Sequence, residues 1–194
     1  MKNKNRIQAK DLITVGIFTA IMMVVRIISS FLGVIPIVNA IITVPVCIAV
    51  GPVYMLFLTK VKKMWMITIM AGITGIFMSV FGWAWFCAAI ALVCGLIADF
   101  ITKLGNYQSY KLGLAGYCVY SLWWIAPVLP VWFQPGFLDN MRESMGAEFV
   151  QAYSTLMPIW MLPVLIVVTI ISALIGGLLG KRMMKKHFVR SGIA

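Results

Sequence analysis

The sequence predicts an all-α membrane protein: a compact bundle of six transmembrane helices with both termini cytoplasmic. Three observations predict it. The mean hydropathy is +1.01, and 62% of residues are hydrophobic against 11% charged; soluble domains carry about a quarter charged residues. The apolar residues fall into runs long enough to span a bilayer. The Lys and Arg residues collect in alternate gaps between those runs, as the positive-inside bias requires.

The chain reads as one integral membrane domain, too short to carry an added soluble domain of normal size. Residues 1–10 form an arm with Lys2, Lys4, Arg6 and Lys10. Span one covers 12–31 and reads as uncleaved, because its apolar run exceeds a signal-peptide core and no A-x-A-like site follows. A link at 32–36 holds Gly33 and Pro36. Span two, 37–58, contains Pro45 and Pro52 and is expected to be bent or broken, since proline leaves backbone groups without partners. Lys60, Lys62 and Lys63 follow it.

Span three, 64–81, turns through Phe81, Gly82 and Trp83 into span four, 84–102. A loop from Lys103 to Lys111 leads to span five, 112–133, which has Pro127 and Pro130 near its end. Residues 134–158 form the long loop on the outer side. Span six, 159–180, ends in a tail with Lys181, Arg182, Lys185, Lys186 and Arg190. Fourteen of the sixteen Lys and Arg residues thus share one side; Arg142 sits in the outer loop and Arg26 lies inside span one. That pattern sets the orientation and assigns the net charge of +11 to the membrane interface rather than to nucleic acid.

Leu138, Met141, Met145, Phe149, Tyr153 and Leu156 recur at three- and four-residue steps in the long loop. The spacing predicts an amphipathic helix. Two placements are open: resting in the headgroup layer, or closing a cavity mouth as a lid.

No catalytic set is visible. His187 lies in the basic tail, and no two acids share a span at helical spacing. Gly176 to Lys181 resembles a phosphate loop only faintly, with the wrong spacing and no Ser or Thr after the lysine. Cys47, Cys87, Cys94 and Cys118 all lie within apolar runs and read as buried small hydrophobes, not as a disulfide or metal framework. The chain is expected to be no enzyme and to hold no metal or cofactor of its own.

Arg26 is the informative residue. It lies about 7 Å outward of the middle of its span at 1.5 Å per residue. A charge at that depth faces a cavity or partner, or snorkels to the outer headgroups. A cavity-facing guanidinium would bind a carboxylate or phosphate through its fork. Trp83, Trp85, Trp123, Trp124, Trp132 and Trp160 cluster on the same outer side, and only Trp65 is at the inner edge. An aromatic belt would populate both edges, so the asymmetry points to an aromatic pocket opening outward. Arg26, Asn39, Trp83, Trp85, Tyr120, Trp124, Gln134 and Trp160 are the candidate ligand residues. The ligand expected is a planar, anionic small molecule such as a pterin, a flavin-like vitamin or a tetrapyrrole. Asp99 is expected to cap a helix or to pair with Lys103 at i+4.

Gly16-x-x-x-Ala20 is a small-residue stripe that lets a second helix approach closely. Ala71/Gly75/Ser79 and Ser172/Gly176/Gly180 repeat that spacing, as packing inside a bundle requires.

The stretches KDLITVGIFTAI, GPVYMLFLTKVKK and GLIADFITKLGNYQSYK resemble the Trep_Strep group, also labelled MptD-like, of substrate-binding (S) components of energy-coupling factor (ECF) transporters. The resemblance covers nearly the whole chain. It implies a six-helix protein of the prokaryotic plasma membrane that captures a vitamin- or cofactor-like molecule from outside. It also implies partners: a membrane scaffold subunit and two ATPase subunits that hydrolyse ATP. In the wider superfamily an Ala-x-x-x-Ala motif on the first helix docks onto the scaffold; the matching positions here are Gly16 and Ala20. The loaded component is held to topple and carry its pocket inward. No ligand residues carry over.

Two other readings are open at this point. One is an integral membrane enzyme acting on lipid or isoprenoid substrates, which would need paired acids, a metal set or an activated nucleophile. The other is a small channel or assembly protein, which would need more polar residues along its spans.

Overall fold

The computed structural model describes residues 7–81 and 84–190. Lys2, Lys4, Arg6, Gly82 and Trp83 lie outside them. Every regular element among the described residues is helical.

Helix α1, Ala9–Ser30, continues as a 3-10 turn through Val34. Its start is fixed twice by Asp11, which accepts from the Gln8 backbone N–H at 2.8 Å and from Lys63 Nζ at 2.6 Å. Span two is broken, as its prolines imply, but the break falls at Ile41 and Ile42, between α2 (Pro36–Ala40) and α3 (Thr43–Lys60). The Pro45 ring would strike the Ile41 carbonyl of a continuous helix. The helix therefore restarts so that Pro45 occupies its first turn, where no N–H is needed. Pro52 stays inside α3.

Helix α3 packs against α10, Met161–Arg190. A Cβ on Gly51 would land on the Gly176 backbone, and one on Gly176 would strike the Cys47 carbonyl. Buried Thr169 donates to, or accepts from, Thr43 at 3.1 Å across the same interface. The small-residue stripe ending at Gly180 is thus an internal contact. Helix α10 continues past the expected end at 180 as far as Arg190.

Helices α4 (Met66–Val80) and α5 (Phe86–Leu104) form a second close pair. Gly75 faces Ala88 and Ala91, and Gly95 faces Ala71. Asp99 explains how α4 begins. Trp65 precedes that helix at φ +75° with no side-chain cap. The Asp99 carboxylate, buried on α5, accepts from the Thr68 N–H at 2.9 Å and the Thr68 hydroxyl at 2.8 Å. Tyr107 O–H donates to its other oxygen at 3.2 Å. Burial first, and the neighbouring carboxylate second, push the Tyr107 phenol up, so it stays a donor. Lys103 Nζ instead meets Met64 Sδ at 3.2 Å, so Asp99 caps α4 from a neighbouring helix. Asp99→Ala is expected to cost about 2 kcal/mol, the loss of a cap plus charged hydrogen bonds. An unchanged midpoint of thermal unfolding in detergent would contradict this.

The expected fifth span is regular only in its first half. Helix α6, Tyr110–Ser121, passes into a 3-10 segment, Leu122–Val128, and then α7, Pro130–Phe133. Pro127 and Pro130 remove two donors within four residues, and the chain tightens to i→i+3 bonding before them. The long loop holds two amphipathic helices rather than one: α8, Phe137–Met145, and α9, Ala147–Leu156, divided at Gly146.

Four helical stretches are long and apolar enough to cross a membrane: Ala9–Val34, Thr43–Lys60, Phe86–Leu104 and Met161–Met184. Six crossings were expected; α4 has 15 residues and α6 has 12, fewer than the about 20 that span 30 Å as α-helix. The contacts Asp11–Lys63, Met64–Lys103 and Tyr110–Lys181 place Lys63, Lys103 and Lys181 at one end of the bundle. Helices α8 and α9 lie at the other.

Candidate functional site

Arg26 sits on the buried face of α1 with Val15, Phe18, Thr19, Met22 and Met23. The helical period places it there: 15, 19, 22 and 26 follow three- and four-residue steps. Its side chain is only 5% exposed, so it points into the bundle and does not run out along the lipid face. Its Nε and Nη1 have no hydrogen-bond partner among the described residues. Its Cζ lies 5.9 Å from the centre of the Trp124 ring, and the Trp124 and Trp123 rings lie 4.1 Å apart. A buried guanidinium with free donors is costly, and the aromatic face offsets only part of that cost.

Arg26 lines a cavity of about 280 Å³ at the end of the bundle away from Lys63, Lys103 and Lys181. Ser30, Gly33 and Asn39 line it beside Arg26, and Phe137, Met141, Met145 and Tyr153 enclose it. Asn39 Nδ2 donates to the Gly33 carbonyl at 2.8 Å. A Cβ on Gly33 would come within 2.9 Å of that nitrogen, so a side chain there would displace the Asn39 amide. Tyr153 is buried in a cluster with Ala40, Ile125, Val128, Met157 and Leu165; burial pushes its phenol up. The wall therefore offers one cation, a neutral phenol, a hydroxyl, an amide and apolar surface. That set suits an anion with an apolar body.

The structure sorts the sequence candidates. Arg26 and Asn39 line the cavity, and Trp124 flanks Arg26. Trp85 and Gln134 line a neighbouring groove. Tyr120 is instead fully buried deeper in the core, its ring 5.0 Å from Tyr54 and its hydroxyl 3.9 Å from Met22 Sδ. Trp160 is 64% exposed and lines neither cavity, and Trp83 lies outside the described residues. Gly16 and Ala20 lie on the exposed face of α1, and a Cβ on Gly16 would meet nothing within 4 Å.

Sequence reasoning offered a lid as one of two placements for the long loop but named none of its residues as site contacts. Phe137, Met141, Met145 and Tyr153 all line the cavity. The loop's apolar stripe already contained three of them, but nothing in the spacing said what the stripe covered. Among the described residues no group of three or more His, Cys, Asp or Glu side chains is placed to hold a metal.

Comparison with curated proteins and with solved structures finds no significant match. A family model described as "Hypothetical bacterial integral membrane protein (Trep_Strep)" matches residues 9–190, which takes in every helix described above. By that match the chain belongs to the Trep_Strep family of bacterial integral membrane proteins and is a multi-pass protein of the bacterial membrane.

Proposed function

We propose that this chain is the substrate-specific component of an ECF-type importer, capturing a small vitamin- or cofactor-like anion from outside the cell. The observation that carries the reading is Arg26: a buried guanidinium with unpartnered donors lining a cavity. Intramembrane charge marks a ligand path by default, and a carboxylate or phosphate would complete its hydrogen bonding.

In this reading the basic end faces the cytoplasm, both termini are cytoplasmic, and the chain crosses six times. Helix α6 and the 3-10 segment after it rise about 32 Å together, at about 1.5 and 2.0 Å per residue. Helix α4 makes the shortest crossing, about 22 Å. The cavity then opens outward, and α8 and α9 lie over it as a lid. The chain catalyses nothing itself. Two ATPase subunits supply the energy through a membrane scaffold, which docks on the open face of Gly16 and Ala20.

Deleting the scaffold subunit tests the reading. Uptake should fall to background while binding by the isolated chain persists. Uptake that survives the deletion would contradict dependence on an ECF module.

A further inference from the structure

The Arg26 cavity has a larger neighbour. A groove of about 880 Å³ is lined by Trp85, Phe86, Phe133, Gln134 and Asn140, among others, with no charged side chain in its wall among the described residues. Phe137, Met141 and Met145 line both spaces. These three lie four residues apart, so a single stripe of α8 forms the shared wall.

That wall is lightly held. Helix α8 buries none of its residues, and its main packing partners are α7 and α9, its neighbours in the chain. Helix α9, by contrast, buries Val150 and Tyr153. Glycines flank α8 on both sides, Gly136 at φ +75° and Gly146 at φ +88°. Around each, the position a Cβ would take is open for 4 Å. Glycine rotates through that region without the steric cost other residues meet. Helix α8 thus has a glycine hinge at each end, and of its residues only half-buried Met141 packs against the buried cluster below it.

Size sets what each space holds. A cavity of about 150 Å³ takes up benzene, so the Arg26 cavity alone has room for one or two rings. Joined to the groove it holds a much larger body. Arg26 is the one charged side chain lining the combined space among the described residues, and aromatic surface runs on from Tyr153 and Phe137 to Trp85, Phe86 and Phe133.

We propose that α8 is a movable partition, and that the ligand is an amphipathic carboxylate whose head sits at Arg26 while a planar body of more than two rings extends past α8 into the Trp85–Phe133 groove. This rests on the assignment of Arg26 as the anion site and adds the size and shape of what it holds.

Two aryl carboxylates separate the claims. Benzoate reaches Arg26 alone; pyrene-1-carboxylate has the same head on four rings. Both are titrated calorimetrically into the full chain in nanodiscs, with empty nanodiscs subtracted. Pyrene-1-carboxylate should bind at least tenfold tighter than benzoate. Trp85→Ala combined with Phe133→Ala should weaken it at least tenfold and leave benzoate within twofold, which also shows that the variant is folded. Arg26→Gln should weaken both at least tenfold. Amide exchange in 137–145 should change with the pyrene acid and not with benzoate.

Pyrene-1-carboxylate binding no tighter than benzoate, or binding the groove variant unchanged, overturns the extended site while Arg26 stands as an anion site. Arg26→Gln binding both acids normally, or a wild-type chain binding neither, overturns the Arg26 assignment and this proposal with it.

Discussion

Replacing Arg26 by methionine should raise the melting temperature of the ligand-free protein and abolish ligand capture. In the importer reading the two effects have opposite signs, because that reading places the residue for a ligand and not for the fold. A guanidinium at depth in a membrane helix costs about 3 kcal/mol on insertion scales. The Trp124 ring, 5.9 Å from Arg26 Cζ, returns about 1–2 kcal/mol. Methionine fills similar space, adapts its shape and needs no partner. The net gain is about 1 kcal/mol, and in a chain of this size that is about 2–4 °C. Capture loses a bidentate charged pair, about 3 kcal/mol or more, so affinity should fall at least 100-fold. Thermal unfolding and binding, both in detergent, check the pair of signs. A lower melting temperature for Arg26→Met would show that the fold itself uses the charge.

Leucine at Gly176 and leucine at Gly16 should part in the same way. Gly176 lies backbone to backbone against α3: a Cβ there would lie 3.0 Å from Ile48 Cα and closer still to the Cys47 carbonyl. Backbone cannot rotate aside as a side chain does. Overpacking that only strains side chains costs about 1–3 kcal/mol, and Gly176→Leu should exceed that, losing the α3–α10 interface and most folded protein. Gly16 faces outward with open space around it. Gly16→Leu should keep the melting temperature within about 1 °C, as surface changes usually do, and keep ligand binding. In the importer reading it blocks close approach of the scaffold helix, so uptake should be lost. Size-exclusion profiles of the two variants and uptake assays of Gly16→Leu check both. Normal uptake by Gly16→Leu would remove the docking role from that face.

Much of this was legible in the sequence because it rests on periodicity and on single conspicuous residues. Arg26 stood out as one charge in an apolar run, but the run is apolar all round, so only the packing of α1 shows that the residue faces inward and does not snorkel. The break in span two followed from Pro45. What failed turned on depth and on breaks that spacing does not record. Tyr120 and Trp124 both face α1, against Met22 and Arg26 one turn apart, but Tyr120 lies a turn deeper, inside the tyrosine cluster and away from the cavity. Gly146 likewise divided a stripe that spacing alone carried straight through. Two identical small-residue patterns met opposite fates, Gly16 outside and Gly176 inside, because spacing records a smooth face and not what lies against it. Asp99 was legible as a cap but not as the cap of α4, since that contact joins residues 31 apart in the chain.

The central claim is that the Arg26 cavity holds an anionic ligand, and purification tests it most directly. The wild-type protein and Arg26→Gln are prepared side by side, and the bound small molecules are identified and quantified by mass spectrometry. The wild-type protein should carry one anionic compound near stoichiometry, and Arg26→Gln should be folded and lack it. The same compound at the same occupancy in both would contradict the account.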